Sequence, residues 1–231
     1  MSLAEHRPAA LVFDLDGVLV DSAPSHNRAF EKVFAPRGIC GFSYPGYAGW
    51  KTADVIRDVL QGAGQEPAAE LIQELAEEKS RLAREELRAL NPVIPGCIPA
   101  LEQLSREYPL ALASSGSRAS VALFLSANRC TYLFRSVLCG DDVNRAKPHP
   151  EIYRRTFEAL SIAPKDAMVV EDAVSGVQAA IAAGAGFVMG IEGTCAVSHL
   201  TEVGANAVIR GVRDLPEFLC DAYDHAGATR N

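Results

Sequence analysis

The sequence predicts an α/β protein: a parallel sheet covered by helices on both faces (three-layer αβα), with a helical segment inserted after the first strand. Three observations carry this expectation. Short apolar runs rich in Val, Ala and Leu recur along the chain, each closed by a polar or Gly-rich turn. Segments of helical character lie between most of them, and strands alternating with helices argue for a parallel sheet. One stretch, 22–92, breaks the alternation and reads as helix throughout.

The runs in order are AALVFD (9–14), PLALAS (109–114), RSVLCG (135–140), AMVVED (167–172), AGFVMGI (185–191) and NAVIR (206–210). RASVALFLSA (118–127), EIYRRTFEALSI (151–162) and SGVQAAIAAG (175–184) supply helices between them. In the inserted stretch, 67–90 forms one long charged amphipathic helix, with Leu71, Leu75, Leu82 and Leu87 marking its apolar positions. Pro/Gly punctuation in NPVIPG (91–96) marks the return to the sheet. The expected division is therefore a core of 1–21 and 93–231 and a helical insertion of 22–92. Ligands bind outside the carboxyl ends of the strands in such sheets, which singles out Asp14, Ser114, Glu171 and Asp172.

Composition excludes several classes. At 231 residues, with 48% hydrophobic and 22% charged residues, the chain is long enough for a sizeable core and ordinary for a globular protein. Its formal net charge is −7 and its basic residues form no run, so the footprint of a nucleic-acid binder is missing. No apolar run approaches the roughly 18 residues that span a bilayer. The start, MSLAEHRPAA, has neither the basic nor the apolar region of a secretion signal, and a cytoplasmic location is expected. Six cysteines, at 40, 97, 130, 139, 195 and 220, form no CxxC pair and suit small buried hydrophobes in a reducing compartment.

Asp14 and Asp16, two apart at the end of the first run, either face one crevice or form a DG turn with Asp21-Ser22 capping the next helix. Crowded carboxylates persist where a divalent cation takes up their charge or one of them stays protonated. Glu171 and Asp172 add a second acidic pair at another strand end. Two such pairs suggest a hard-cation site, and Mg²⁺ is the natural occupant beside a phosphate. LASSGSR (112–118) leads from a strand through hydroxyls and Gly116 into a helix, which is either an N-cap or a place for an anion. Lys147, in RAKPHPEIY, is either a solvated charge or the fixed cation that balances this acidity.

With these pieces in order, the sequence resembles the haloacid dehalogenase-like superfamily, specifically its β-phosphoglucomutase and phosphoglycolate phosphatase-like branch. DLDGVLVDS (14–22), LASSGS (112–117), AKPHPEIY (146–153) and VVEDAVSGVQAAIAAG (169–184) carry the likeness. It implies a Rossmann-like core under a helical cap and an Asp14 nucleophile that forms an aspartyl phosphate. Asp16 would be the general acid and then the base. Ser114 would hydrogen-bond the phosphoryl group, with Ser115 and Gly116 beside it, and Lys147 would hold both that group and Asp14. Mg²⁺ would be held by the Asp14 carboxylate, the Asp16 backbone carbonyl and Asp172, with Glu171 supporting Lys147 or a metal-bound water. Asp16 also separates this chain from the dehalogenases and phosphonate-cleaving members, which lack the second aspartate.

In the implied cap, His26 matches a hinge histidine and Lys79 a cap lysine of the mutase-like branch. The alternatives are a solvated helix residue for His26 and, for Lys79, a side chain that follows the leucine stripe out to water. One departure stands out. The mutase grips a distal phosphate with an arginine from a glycine-led loop, whereas AGWKTADVI (48–56) offers Thr52 with Lys51 beside it. Trp50 either walls the leaving group or only packs. A lysine point charge does not replace an arginine fork. The expectation is thus a Mg²⁺-dependent phosphatase of a small phosphomonoester, a sugar phosphate or phosphoglycolate. Its alternatives are a phosphosugar mutase and a catalytically idle phosphate-binding module. A small phosphorylated metabolite is the expected partner, with no nucleic acid or membrane, and a monomer is compatible with all of this.

Overall fold

The computed structural model of the chain describes residues 7–47 and 50–228; Ala48 and Gly49, the glycine-led start of the 48–56 stretch, lie outside them. Each apolar run becomes a strand: β1 (Ala10–Phe13), β2 (Leu110–Ala113), β3 (Phe134–Leu138), β4 (Ala167–Glu171), β5 (Phe187–Ile191) and β6 (Ala207–Ile209). Every pairing is parallel, and the order is β3-β2-β1-β4-β5-β6. β1, β2, β4 and β5 are buried along their whole length, which is why they read as unbroken apolar runs rather than as alternating ones.

Side chains alternate across the sheet, and the two faces acquire separate apolar cores. Leu11, Phe13, Leu110, Leu112, Met168 and Val170 belong to one, and Val12, Ala111, Ala113, Val169 and Val188 to the other. Of the helices, α1 (Ala23–Phe34), α2 (Thr52–Gly62) and α3 (Ala69–Leu90) lie in the inserted stretch. The first face is covered by α4 (Cys97–Ser105), α5 (Arg118–Ala127) and, from Leu215–Ala228, the last helix; α6 (Glu151–Leu160), α7 (Val174–Ala182) and α8 (Val197–Glu202) cover the second. Within the described residues no helix is long and apolar enough to cross a membrane.

The chain runs outward from β1 to β3, then returns to place β4 on the other side of β1. Strand order therefore reverses between β1 and β4, the point where α/β sheets open a crevice at their carboxyl ends. Phe13 pairs with Val170. The residues that follow, Asp14 on one strand and Glu171 and Asp172 on the other, meet in that crevice.

The inserted helices have their own core of Phe30, Val33, Phe34, Val55, Ile56, Leu60, Ile72 and Leu75. Phe30 stacks on Phe34 (5.7 Å between ring centres), and Phe42 tilts against both. On α3 the buried stripe is Ile72, Leu75, Lys79 and Ala83, so the lysine looks inward along the apolar face. Two linkers join this unit to the sheet and pair with each other. Val20 bridges Val93, Asp21 N–H donates to the Pro92 carbonyl (2.8 Å), and Ile94 N–H donates to that of Leu19 (3.0 Å).

Two expectations need correction. No side chain caps the start of α1: Ser22 occupies the cap position in helical conformation, and its hydroxyl donates to Asp16 instead. Asp21 is exposed and does not cap. All six cysteines are free, but only Cys97, Cys130 and Cys139 are buried; Cys40 and Cys220 are exposed and Cys195 is half-buried.

Candidate active site

The floor of the crevice is a closed ion cluster. Lys147, only 5% exposed, donates to Asp14 Oδ1 (2.6 Å), Glu171 Oε1 (2.7 Å) and the Ala113 carbonyl (3.1 Å). The Tyr153 hydroxyl donates to the same Glu171 oxygen (2.5 Å), and the backbone N–H groups of Asp172 and Ala173 donate to Oε2 (3.0 and 3.3 Å). Both oxygens of Glu171 are thereby taken. Asp172 accepts from Thr194 on the turn after β5. Burial lowers the Lys147 affinity for its proton, but Asp14 and Glu171 more than compensate and keep it charged.

Glycines make room for this cluster. Gly17, the G of the DG turn, has φ +80°, and a Cβ there would lie 1.8 Å from Asp172 Oδ2, so both the turn and the approach of Asp172 require it. A Cβ on Gly176 would lie 1.9 Å from Glu171 Oε1.

Donor atoms of Asp14, Glu171 and Asp172 lie within 4.8 Å of one another. Burial, with Glu171 and Asp16 nearby, pushes the Asp14 carboxyl up to about 7 despite Lys147. Burial, Glu171 and Asp14 likewise push Asp172 well above the usual carboxylate range. Two buried carboxylates that resist ionisation together, offering only oxygen, fit a hard divalent cation. A divalent cation held there would offset the penalty that raises both.

Asp16 turns from the floor to the inserted helices. Its Oδ1 accepts from Ser22 and lies 3.4 Å from His26 Nε2. Lys79 Nζ stands 2.9 Å from His26 Nδ1, so a charged Lys79 donates to Nδ1 and leaves the ring proton on Nε2, facing Asp16. Burial raises the affinity of Asp16 for a proton, but His26 and Ser22 outweigh it and hold the carboxyl below its ordinary value. Lys79 packs over the Phe30 ring (4.4 Å) and is brought down to about 8, chiefly by burial. Burial first, then Lys79, lowers His26 and favours its neutral form.

Floor and roof enclose a cavity of about 680 Å³ whose lining includes Asp14, Asp16, His26, Lys79, Ser115, Gly116, Lys147, Glu171 and Asp172. The structure thus gathers nine of the residues expected from sequence. Ser114 lies just beneath: it is fully buried, and its hydroxyl accepts from Gly116 N–H (2.9 Å). Ser117 caps α5 by accepting from Ser120 N–H. Lys51 does not reach this cavity; it borders a neighbouring cleft and donates to the Asn144 carbonyl (3.1 Å). Thr52 and Trp50 line the cavity instead. Sequence reasoning missed Tyr153, Thr194 and Tyr44. Thr194 had a signal, since it lies three residues beyond the fifth apolar run, at the same end of the sheet where Asp172 closes the fourth.

Residues 11–189 match the haloacid dehalogenase-like hydrolase family, and the chain belongs to it. A phosphorylated carbohydrates phosphatase of Thermotoga maritima is 30% identical over 87% of this chain and 94% of its own length. A phosphoglycolate phosphatase of Cupriavidus necator is 28% identical over 92% of this chain and 94% of its own. The solved structure of a β-phosphoglucomutase from Clostridium difficile superposes with a TM-score of 0.82 at 24% identity, covering 96% of this chain and 99% of that one, and shares the fold. The chain is a phosphoric monoester hydrolase.

Proposed function

We propose that the protein is a Mg²⁺-dependent phosphatase of a small phosphomonoester, a sugar phosphate or phosphoglycolate, working through an aspartyl phosphate on Asp14. One observation carries this reading. Two aspartates of a single turn enter one cavity with different partners, Asp14 tied to Lys147 and Asp16 to Ser22 and His26. That is the division of labour a nucleophile and an acid/base require.

Asp14 attacks phosphorus with the oxygen that Lys147 leaves free. Lys147, Ser115 and Gly116 surround the phosphoryl oxygens, and the Ser114 hydroxyl shapes the turn that presents them. Asp16 protonates the leaving oxygen and then takes a proton from the attacking water. In the resting site Asp16 is ionised; a bound phosphate dianion adds like charge and raises its affinity for the proton it must deliver. His26 and Lys79 orient Asp16 and bring one positive charge to the phosphate side. Asp14, Asp172 and the Asp16 carbonyl would hold Mg²⁺, with Glu171 bracing Lys147; the ion supplies positive charge to the transferring group.

The inserted helices, 22–92, act as the cap over a core of 1–21 and 93–231. A cytoplasmic setting, with a small phosphorylated metabolite as partner, agrees with six free cysteines. Thr52, not an arginine, lines the cavity from the cap, which favours hydrolysis over a mutase. The test is a panel of phosphorylated metabolites with and without Mg²⁺, scored for phosphate release and product identity. Metal-dependent release of inorganic phosphate is expected; an isomerised product without it would replace this reading by the mutase.

A further inference from the structure

The roof of the cavity differs in chemistry from its floor and points to the leaving group. Its aromatic members are Phe30, Tyr44 and Trp50, the last 45% exposed, with the Thr52 hydroxyl beside them. We propose that Tyr44 is a specificity-determining residue whose phenol hydrogen-bonds a hydroxyl of a neutral, polyhydroxylated leaving group, so that the substrates are sugar phosphates rather than phosphorylated carboxylic acids. The proposal rests on the phosphatase reading and names its substrate class.

Tyr44 is built for that contact. Its backbone N–H is held by Asn27 Oδ1 (2.9 Å), and its ring lies against His26 (5.2 Å between ring centres) and Phe30 (6.1 Å). The side chain is therefore positioned before a ligand arrives, and little rotamer freedom remains to be lost. Among the described residues its hydroxyl has no hydrogen-bond partner, although it lines the cavity. Burial and the field of Asp16, Asp172 and Asp14 keep it protonated, so it is always available as a donor.

The cations of the cavity argue against a carboxylate on the leaving group. Lys147 is committed to Asp14 and Glu171, and Lys79 to His26 and the Phe30 ring. Arg210 also lines the cavity, but it is exposed to solvent on the turn after the edge strand β6, where an ion pair contributes little, and Lys51 borders the neighbouring cleft. A carboxylate under the roof would meet Asp16 with only the solvent-exposed Arg210 to pair with, whereas a sugar offers hydroxyls to Tyr44 and Thr52 and C–H faces to the aromatic rings.

The test compares Tyr44→Phe with the unaltered chain in Mg²⁺ buffer on hexose phosphates, phosphoglycolate and p-nitrophenyl phosphate. KM for the best hexose phosphate should rise about five- to tenfold with kcat within about twofold, the size of one neutral hydrogen bond. The other two substrates should change less than about twofold. Calorimetry repeats the comparison without turnover, using Asp14→Asn against Asp14→Asn/Tyr44→Phe, and expects the same loss for the hexose phosphate alone. Equal losses on all three ligands, no loss on any, or phosphoglycolate preferred to every hexose phosphate would overturn the assignment. Ligand-selective loss in calorimetry with no phosphate release from the unaltered chain would sink the phosphatase reading and leave Tyr44 in place.

Discussion

The floor and the roof of the cavity solve opposite problems. The floor gathers Asp14, Glu171, Asp172 and Lys147 at the ends of buried strands, where backbone pairing fixes their spacing, and nearly every polar atom is already spoken for. The roof is carried by helices with a separate aromatic core, and it offers ring faces, one histidine and one lysine whose charge is weakened by burial. Charge that must not move sits on the sheet, and surface that can vary with the leaving group sits on the insertion. Chemistry and selectivity are thereby separable, and substitutions on the two sides should differ in kind: floor changes strike kcat, roof changes strike KM or the pH profile.

The largest effect is expected at the floor. Asp14→Asn removes the nucleophile and should lower kcat at least about 10⁴-fold in a phosphate-release assay; full activity would end the mechanism. Asp16→Asn should cost about 10²- to 10⁴-fold in kcat, with Mg²⁺ affinity by calorimetry nearly unchanged because a backbone carbonyl is the proposed ligand. Acid should weaken metal binding. Asp14 takes a proton as pH falls through about 7, and Asp172 is raised as well, so affinity should drop roughly tenfold between pH 8 and 6. A flat profile would remove these carboxylates from the metal site.

The roof should give smaller changes. Lys79 is charged below about 8 and loses its proton above it, so kcat/KM should decline a few-fold as pH rises past 8, and Lys79→Arg should carry that limb to higher pH. An alkaline limb that stays in place would assign it elsewhere. The smallest effect is expected for Lys51→Ala, under about twofold in KM, since its ammonium donates to the Asn144 carbonyl outside the cavity; a tenfold rise would return Lys51 to the substrate.

The strands were readable because burial on both faces leaves an unbroken apolar run, and Asp14, Glu171 and Asp172 were readable because they close two of those runs. What depends on contacts between distant segments was not. Asp21-Ser22 at the end of GVLVDS (17–22) suits a helix cap, yet Ser22 prefers Asp16, a charged acceptor six residues earlier. The leucine stripe placed Lys79 on an inward face without saying what received its charge; His26, 53 residues away, does so. Tyr153 lies in AKPHPEIY, but its hydroxyl acquires meaning only when α6 packs against β2 and β3 and reaches Glu171 at the end of β4. Cys40 and Cys220 show that residue type alone does not decide burial.

The paired linkers bear on timing. Two segments bonded side by side, Leu19–Asp21 with Pro92–Ile94, bend together across their plane but resist sliding past each other. Any swing of the insertion is thus a rotation about one line, and it carries His26, Tyr44, Trp50 and Lys79 as one body while Asp14 and Lys147 stay behind. Asp16 would lose its histidine at the same moment the leaving group lost its wall. That histidine helps to keep Asp16 ionised, so the protonation of Asp16 and the enclosure of the substrate would depend on one hinge.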